Sequence, residues 1–326
     1  MTMNRSTSEL LTFQECPQKW ANIYHHQRAP KDTPPDATDR GSTAHEALEY
    51  ALNCEREGTP FVNMQPWWRD HMENHYGERS AEKGYLPHEK HLKEIEILSI
   101  SMSQYWSEHG LSQVRAEGGD LLGAEIILED GGMKGILDCL KLDSNGSLWH
   151  RQYKTLGRSS DMPVLVRRVK RSLHESVYAT LIEARYLGHY LNDDHPYGWP
   201  YMGVELVMFP LDGLHRRMKG STCTHCGDKG YEYRPPTYEV IEIPLRHEIR
   251  ERGKRDTTRI LDHIQAALEV YPFVPFEQRE GSCYNYNRVC PFIDVCDGHL
   301  TIDDPNYFRD RDPSRRYKKE PTLKDG

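Results

Sequence analysis

The chain has 326 residues, 37% of them hydrophobic and 28% charged, and a formal net charge of -8. That length suits one large or two modest domains with a real core, and the hydrophobic share excludes a wholly disordered protein. No uninterrupted apolar run of about 18 residues occurs, which excludes a helical membrane span, and the negative net charge excludes a general polycation, so any site for a polyanion is local.

The opening, MTMNRSTSELLTFQECPQKW, has no apolar stretch of the kind that directs export. A cytoplasmic location is expected, in which the eight cysteines do not pair as disulfides. From Ser6 to about Arg28 the pattern predicts a helix pair: Ser6 and Glu9 suit a capping box, Pro17 suits the first turn of the second helix, and Cys16 lies at the joint. A loop rich in Pro and Asp, Pro30 to Asp39, precedes a helix from about Arg40 to Arg56. Its apolar stripe of Ala44, Leu48, Ala51 and Leu52 is edged by His45. Pro66 to Tyr76 and Glu89 to Glu108 read as further helices, the second with Leu92, Ile95, Leu98, Met102 and Tyr105 at helical spacing.

The periodicity then changes. Leu121 to Leu128, Met133 to Leu142 and Ser147 to Thr155 are short apolar-rich runs separated by turn residues, a three-stranded meander. Val164 to Leu187 returns to a single helix with a basic start, and Met202 to Phe209 and Tyr238 to Ile243 read as strands. Between these two lies a hairpin carrying Cys223 and Cys226. A helix from about Leu245 to Val270 leads to Cys283, Cys290 and Cys296. The stretch from Asp303 onward is charged, poor in apolar residues and expected to be mobile.

The meander carries Glu125 on its first strand, Asp138 on its second and Lys154 on its third, and a sheet in this order brings them to one end. Metal-assisted phosphodiester hydrolysis needs hard oxygen ligands for Mg2+ or Mn2+, a water activated by the metal, and a cation that orients the water or balances charge on the phosphorane. Gln152 and Lys154 share a face of their strand because side chains alternate with period two, and Tyr153 points away.

On these residues the chain resembles the PD-(D/E)XK nuclease superfamily, in its RecB-like exonuclease branch, across nearly its whole length. Gly41 to His45 is similar to the helical GxxxH motif, whose histidine is a metal ligand, and Gly135 to Asp138 to the GxxD strand, whose aspartate binds the metal. Gln152 to Thr155 resembles the DYKT strand, which supplies an acidic ligand and the catalytic lysine. His174 to Tyr178 stands where the family often has a QxxxY helix that helps organise the site and the DNA. By the same resemblance Glu125 is an auxiliary acid. Two positions depart from the pattern: Gln152 stands where Asp or Glu is the rule, and His174 where Gln is usual. An amide oxygen can coordinate Mg2+ but brings no negative charge, so metal affinity falls and rests more on Asp138, Glu125 and His45.

The resemblance implies an α/β fold: a restriction-endonuclease-like core, a mixed sheet flanked by helices, with a helical N-terminal elaboration and a C-terminal iron-sulfur clamp. The implied organisation is a helical part over 1–115, a nuclease core over 116–275 with the CxxC hairpin inserted near 215–235, a cysteine segment over 276–302, and the charged tail over 303–326.

Cys283, Cys290 and Cys296, spaced C-x6-C-x5-C, leave a tetrahedral thiolate site one ligand short. Iron-sulfur members of the same branch, such as the AddB nuclease domain and the CRISPR adaptation nucleases, have a lone cysteine before the histidine motif, which Cys16 matches. The resemblance therefore implies a 4Fe-4S cluster on Cys16, Cys283, Cys290 and Cys296, structural rather than redox, with zinc in the same four thiolates as the rival. Cys223 and Cys226 look like half a zinc knuckle, to be completed for Zn2+ by further ligands, or else a reduced hairpin turn. Cys54 and Cys139 read as structural.

Arg158, Arg167, Arg168, Lys170 and Arg171 follow the third strand closely and either meet DNA phosphates or form a solvated face. His174 and Tyr178 join them as DNA-contact candidates by resemblance. The basic residues between Arg309 and Lys319 either track DNA or form a soluble tail, and Trp67, Trp68, Tyr105 and Trp106 either stack single-stranded bases or pack in the core. The expected function is a metal-dependent DNA nuclease, an exonuclease by resemblance, working in recombination, repair or phage DNA processing in a bacterial cell or phage-infected host. Its expected partners are DNA and a helicase or recombination protein, with no membrane; no GxxxxGK phosphate loop is present in the chain itself. The alternative, motivated by Gln152, is a catalytically impaired nuclease-fold module that binds DNA or scaffolds a complex. A zinc-dependent interaction protein is a third.

Overall fold

The computed structural model describes residues 4–31, 37–59, 65–82, 86–186, 200–211, 215–222, 229–233, 237–271, 274–284 and 289–311. A short strand β1 (Arg5–Ser6) leads into α1 (Thr7–Glu15), which starts on the expected capping box: Ser6 Oγ accepts the Glu9 N–H and Glu9 accepts the Ser6 N–H. Cys16 caps α2 (Pro17–Trp20), with Pro17 in the first turn, where its missing N–H has no intrahelical acceptor to lose. A π-helical turn, Ala21–His25, and β2 (Arg28–Pro30) follow. Three long helices come next, α3 (Ala37–Arg56), α4 (Gln65–Glu82) and α5 (Glu89–His109), then α6 (Leu111–Ala116).

The meander is β3 (Asp120–Asp130), β4 (Met133–Leu142) and β5 (Leu148–Leu156). The single helix expected over Val164 to Leu187 is two, α7 (Met162–Val169) and α8 (Leu173–Tyr186). The chain leaves the helix at Lys170 and restarts at Ser172, whose Oγ accepts the His174 N–H at 3.1 Å. The remaining elements are β6 (Tyr201–Pro210), β7 (His215–Thr222), β8 (Lys229–Tyr233), β9 (Glu239–Pro244), α9 (His247–Val270), α10 (Ile293–Cys296) and β10 (Phe308–Asp310). Strands β7 and β8 pair as the expected hairpin, while Cys223 and Cys226 at its turn lie outside the described residues, as does the tail beyond residue 311.

Part of the stretch expected to be mobile is built into the fold. Strand β10 pairs antiparallel with β2, Arg28 makes ion pairs with Asp303 and Asp310, and Phe308 is buried against Phe292 with parallel rings 5.6 Å apart. Composition misses this because one buried phenylalanine and a strand partner anchor a segment that is otherwise charged. No described helix is long and apolar enough to cross a membrane.

The main sheet runs β1-β4-β5-β6-β9, with β3 on the other edge of β4. The meander is antiparallel, β6 returns parallel to β5 after the α7–α8 crossover, and β9 closes antiparallel to β6. One sheet face packs on α1, α8 and α9 through Leu10, Phe13, Leu137, Val177, Leu206 and Ile260. The other packs on α3, α4 and α5 through Leu48, Trp68, Met72, Leu98, Tyr153 and Val207, giving the expected α/β layers.

Strand pairing positions the site. Strand β3 occupies one edge of β4 over its full length, so β1 and β5 share the opposite edge: β1 at Met133–Lys134 and β5 at Cys139–Leu142. Between those stretches β4 has parted from β5, and Asp138 lies at the fork. The Tyr153 N–H, with no β4 carbonyl to meet there, donates to Asp138 Oδ2 at 2.9 Å.

Candidate active site

The flanking register pairs Ala124–Cys139 and Ile126–Leu137 set Glu125 opposite Asp138. Glu125 has φ +49°, a left-handed conformation that costs a non-glycine residue about 1 kcal/mol or more and breaks the regular alternation of β3. From α3, His45 places Nε2 3.1 Å from the Tyr153 carbonyl oxygen. A carbonyl only accepts, so Nε2 carries the proton and Nδ1 keeps its lone pair.

Nδ1 faces Asp138 Oδ1 at 3.5 Å and Glu125 Oε1 at 3.7 Å. Among the described residues these three form the group of His, Cys, Asp and Glu ligand atoms close enough to hold a metal ion. Octahedral Mg2+ at about 2.1 Å from each donor wants donors roughly 3 Å apart, so the trio closes on an ion by a small adjustment. Burial works against a charged His45, but Asp138 and Glu125 outweigh it and its pKa rises above the ordinary value. Burial likewise opposes ionisation of Asp138, yet His45, Lys154, His150 and the Tyr153 N–H hold its carboxyl below the usual range. Lys154 Nζ stands 3.8 Å from Asp138 Oδ2 and remains partly exposed to solvent.

Gln152 is 2% exposed and lies on the α8 side of β5, while Tyr153 packs into the opposite core, as the strand period predicts. Its Nε2 donates to Glu175 Oε1 at 3.0 Å and its Oε1 has no hydrogen-bond partner. A buried amide oxygen left without a donor is costly, and a cation satisfies it. The His45 lone pair and the two carboxylates make a hard O and N donor set that fits Mg2+ or Mn2+.

Sequence reasoning missed Glu175. It sits in the first turn of α8, buried, with His150 Nδ1 at 3.3 Å and His174 Nδ1 at 3.0 Å. Burial opposes its charge, but these two histidines hold its carboxyl well below the usual range. The signal present was Ser172 followed three residues later by Glu175, a helix-start pattern. Ser172 plays its part, whereas Glu175 turns inward to Gln152.

Tyr178 does not present itself to DNA. Its ring is buried, its hydroxyl donates to the Ile136 carbonyl at 2.9 Å, and it lies where a side chain at position 135 would be. It braces β4 instead. His174, its ring 4.3 Å from that of Tyr178, is only partly buried. Arg167, Arg168, Lys170 and Arg171 are all exposed at the end of α7 and just after it. Trp68, Tyr105 and Trp106 belong to the core, while Trp67 is half-buried and stacks on Tyr50 and His71. Cys54 and Cys139 are buried, and burial pushes the Cys139 thiol up to about 12.

Cys16, Cys283, Cys290 and Cys296 line one cavity of about 270 Å3, together with Lys19, Arg279 and Phe292. Burial raises the Cys296 thiol to about 11, and the neighbouring Cys290, Cys16 and Cys283 contribute to that rise, as expected where sulfurs crowd. The chain ends also meet without sulfur: Gln18 N–H donates to the Glu277 carbonyl at 3.0 Å, Ser282 Oγ–H to the Glu15 carbonyl at 2.8 Å, and Trp20 packs edge-on against Phe276.

Compared with known families, residues 4–297 match the model of the PD-(D/E)XK nuclease superfamily, a span that takes in His45, the meander and Cys296. No curated protein gives a significant match.

Proposed function

The chain belongs to the PD-(D/E)XK nuclease superfamily, and from that premise we propose that it hydrolyses DNA phosphodiester bonds with Mg2+ or Mn2+ held by His45, Asp138, Glu125 and Gln152. Its mixed sheet flanked by helices agrees with the restriction-endonuclease-like fold of that superfamily. The observation that carries the proposal is the meeting of His45 Nδ1, Asp138 and Glu125 beside the Lys154 ammonium. A divalent cation there supplies Lewis-acid polarisation of the phosphate and lowers the pKa of its water. Lys154 orients the attacking water and balances charge on the phosphorane. Asp138 Oδ2 meets both the Lys154 ammonium and the Tyr153 N–H while Oδ1 faces His45, and the tie from His45 Nε2 to the Tyr153 carbonyl holds the imidazole with its lone pair inward.

The exposed side chains of Arg167, Arg168, Lys170 and Arg171 follow the fork in sequence and support contact with the phosphates of the incoming strand. The finer reading is a RecB-like exonuclease working with a helicase or recombination partner in the cytoplasm. In it a 4Fe-4S cluster on Cys16, Cys283, Cys290 and Cys296 pins the two chain ends, and the shared cavity supports that ligand set. Cleavage of end-labelled single- and double-stranded DNA, lost in Lys154→Ala, tests the proposal.

Gln152 favours a second reading, a module that keeps the fold for binding or scaffolding. It predicts DNA affinity without cleavage in the wild type and cleavage gained in Gln152→Glu.

A further inference from the structure

We infer that Glu175 is a positioning residue for the metal site, the group that turns Gln152 into a usable ligand. The inference rests on the metal-site reading above. A carboxylate only accepts, so a Gln152 amide bonded to Glu175 must offer it Nε2 and keep Oε1 on the other side. Without that anchor the amide can rotate, and either end is then equally presented. Glu175 is itself fixed by His150 and His174, and it is 2% exposed, so its oxygens have little freedom to follow a moving partner.

The arrangement answers the chemical difficulty of position 152. An acidic ligand needs no orientation, since either carboxylate oxygen serves. An amide has one ligand oxygen and one nitrogen that cannot bind the cation, so it needs a neighbour that tells them apart. Glu175 does this from α8, and its negative charge reaches the site through a charge-assisted hydrogen bond. Sequence spacing hides the pair, because position 152 lies on β5 and position 175 opens α8.

The test is Mn2+ binding without DNA, followed by electron paramagnetic resonance. Glu175→Gln should weaken binding about tenfold or more, the worth of one charge-assisted hydrogen bond. The double variant Glu175→Gln with Gln152→Glu should recover affinity to within about threefold of wild type, since the carboxylate now sits on β5 and the new amide on α8 can donate to it. Unchanged affinity in Glu175→Gln overturns the inference. So does a double variant no better than the single one, which would make Glu175 a ligand in its own right.

A measurement on the unsubstituted protein stands independently of whether Glu175→Gln folds. With glutamine side-chain carbonyls 13C-labelled, Mg2+ should move the Gln152 resonance, assigned by its loss in Gln152→Leu, and no movement overturns the inference. Asp138→Asn separates the two levels. If it binds Mn2+ like wild type, the metal-site reading itself fails; if it loses binding while Glu175→Gln does not, only the role of Glu175 falls.

Discussion

Replacing Gly135 by alanine tests whether the glycine of the strand motif exists to admit the tyrosine of α8. A Cβ at position 135 would lie 2.3 Å from Tyr178 Cε1 and 2.9 Å from Cδ1, with Leu181 Cδ1 at 3.2 Å behind them. Carbon atoms settle near 3.5 Å or beyond, so the ring must retreat by about 1 Å. That retreat breaks the 2.9 Å hydrogen bond from the Tyr178 hydroxyl to the Ile136 carbonyl. Overpacking costs about 1–3 kcal/mol and the broken hydrogen bond about 1 kcal/mol, a total of about 2–4 kcal/mol. Tyr178→Ala alone should cost about 3–5 kcal/mol by leaving a cavity. In the double variant the new methyl enters the space the ring has left, so the combined loss should fall short of the sum by about 1–2 kcal/mol. Urea unfolding of the metal-free protein, followed by tryptophan fluorescence and circular dichroism, measures all three. Additivity within about 0.5 kcal/mol would refute the idea that the two motifs are halves of one packing unit.

His45 keeps its proton above the ordinary 6.5, and a cation at Nδ1 displaces it, so Mn2+ affinity measured by calorimetry should climb with pH up to the raised pKa and then level; His45→Ala should flatten that climb. In the metal-free protein the same raised pKa adds stability that is complete below pH 6.5 and fades as pH rises through the folded value. Asp138 and Glu175, both depressed, add stability above their ordinary 3.8 and 4.5 that is lost in acid, so thermal melts should place this cluster's best pH between 4.5 and 6.5. Anaerobically purified protein should contain iron and acid-labile sulfide, both lost in Cys296→Ser along with several degrees of melting temperature, whereas zinc without iron would replace the cluster by a zinc site. Neutralising Arg167, Arg168 and Lys170 together should reduce the slope of log affinity for DNA against log salt by about 0.9 for each phosphate that is no longer neutralised, and an unchanged slope would mark that face as merely solvated.

Glu125, Asp138 and Lys154 could be read from the sequence because a meander is local: two turn signals fix three strands, and strand alternation fixes which side chains share a face. His45 comes from a distant helix, so its arrival beside them followed from resemblance and not from spacing. Glu175 stayed hidden for a physical reason. Its position matches an ordinary helix start, and only the crossover between β5 and β6 brings that helix end against Gln152. The left-handed Glu125 was equally hidden, since nothing local in the sequence demands it. The break between α7 and α8 turned on Ser172, a capping residue inside an otherwise continuous helical pattern. Tyr178 is a DNA-contact candidate only by a motif that states spacing and not direction, whereas its burial against Gly135 makes it a brace for β4.

The most direct test of the central claim is cleavage of end-labelled single- and double-stranded DNA in Mg2+ and in Mn2+ by wild type beside Lys154→Ala. Wild-type cleavage that needs the metal and disappears in Lys154→Ala, with DNA binding retained, is the predicted result. Cleavage by Lys154→Ala at the wild-type rate would contradict the site, and a wild type that binds DNA and cuts neither substrate in either metal would contradict the proposed activity.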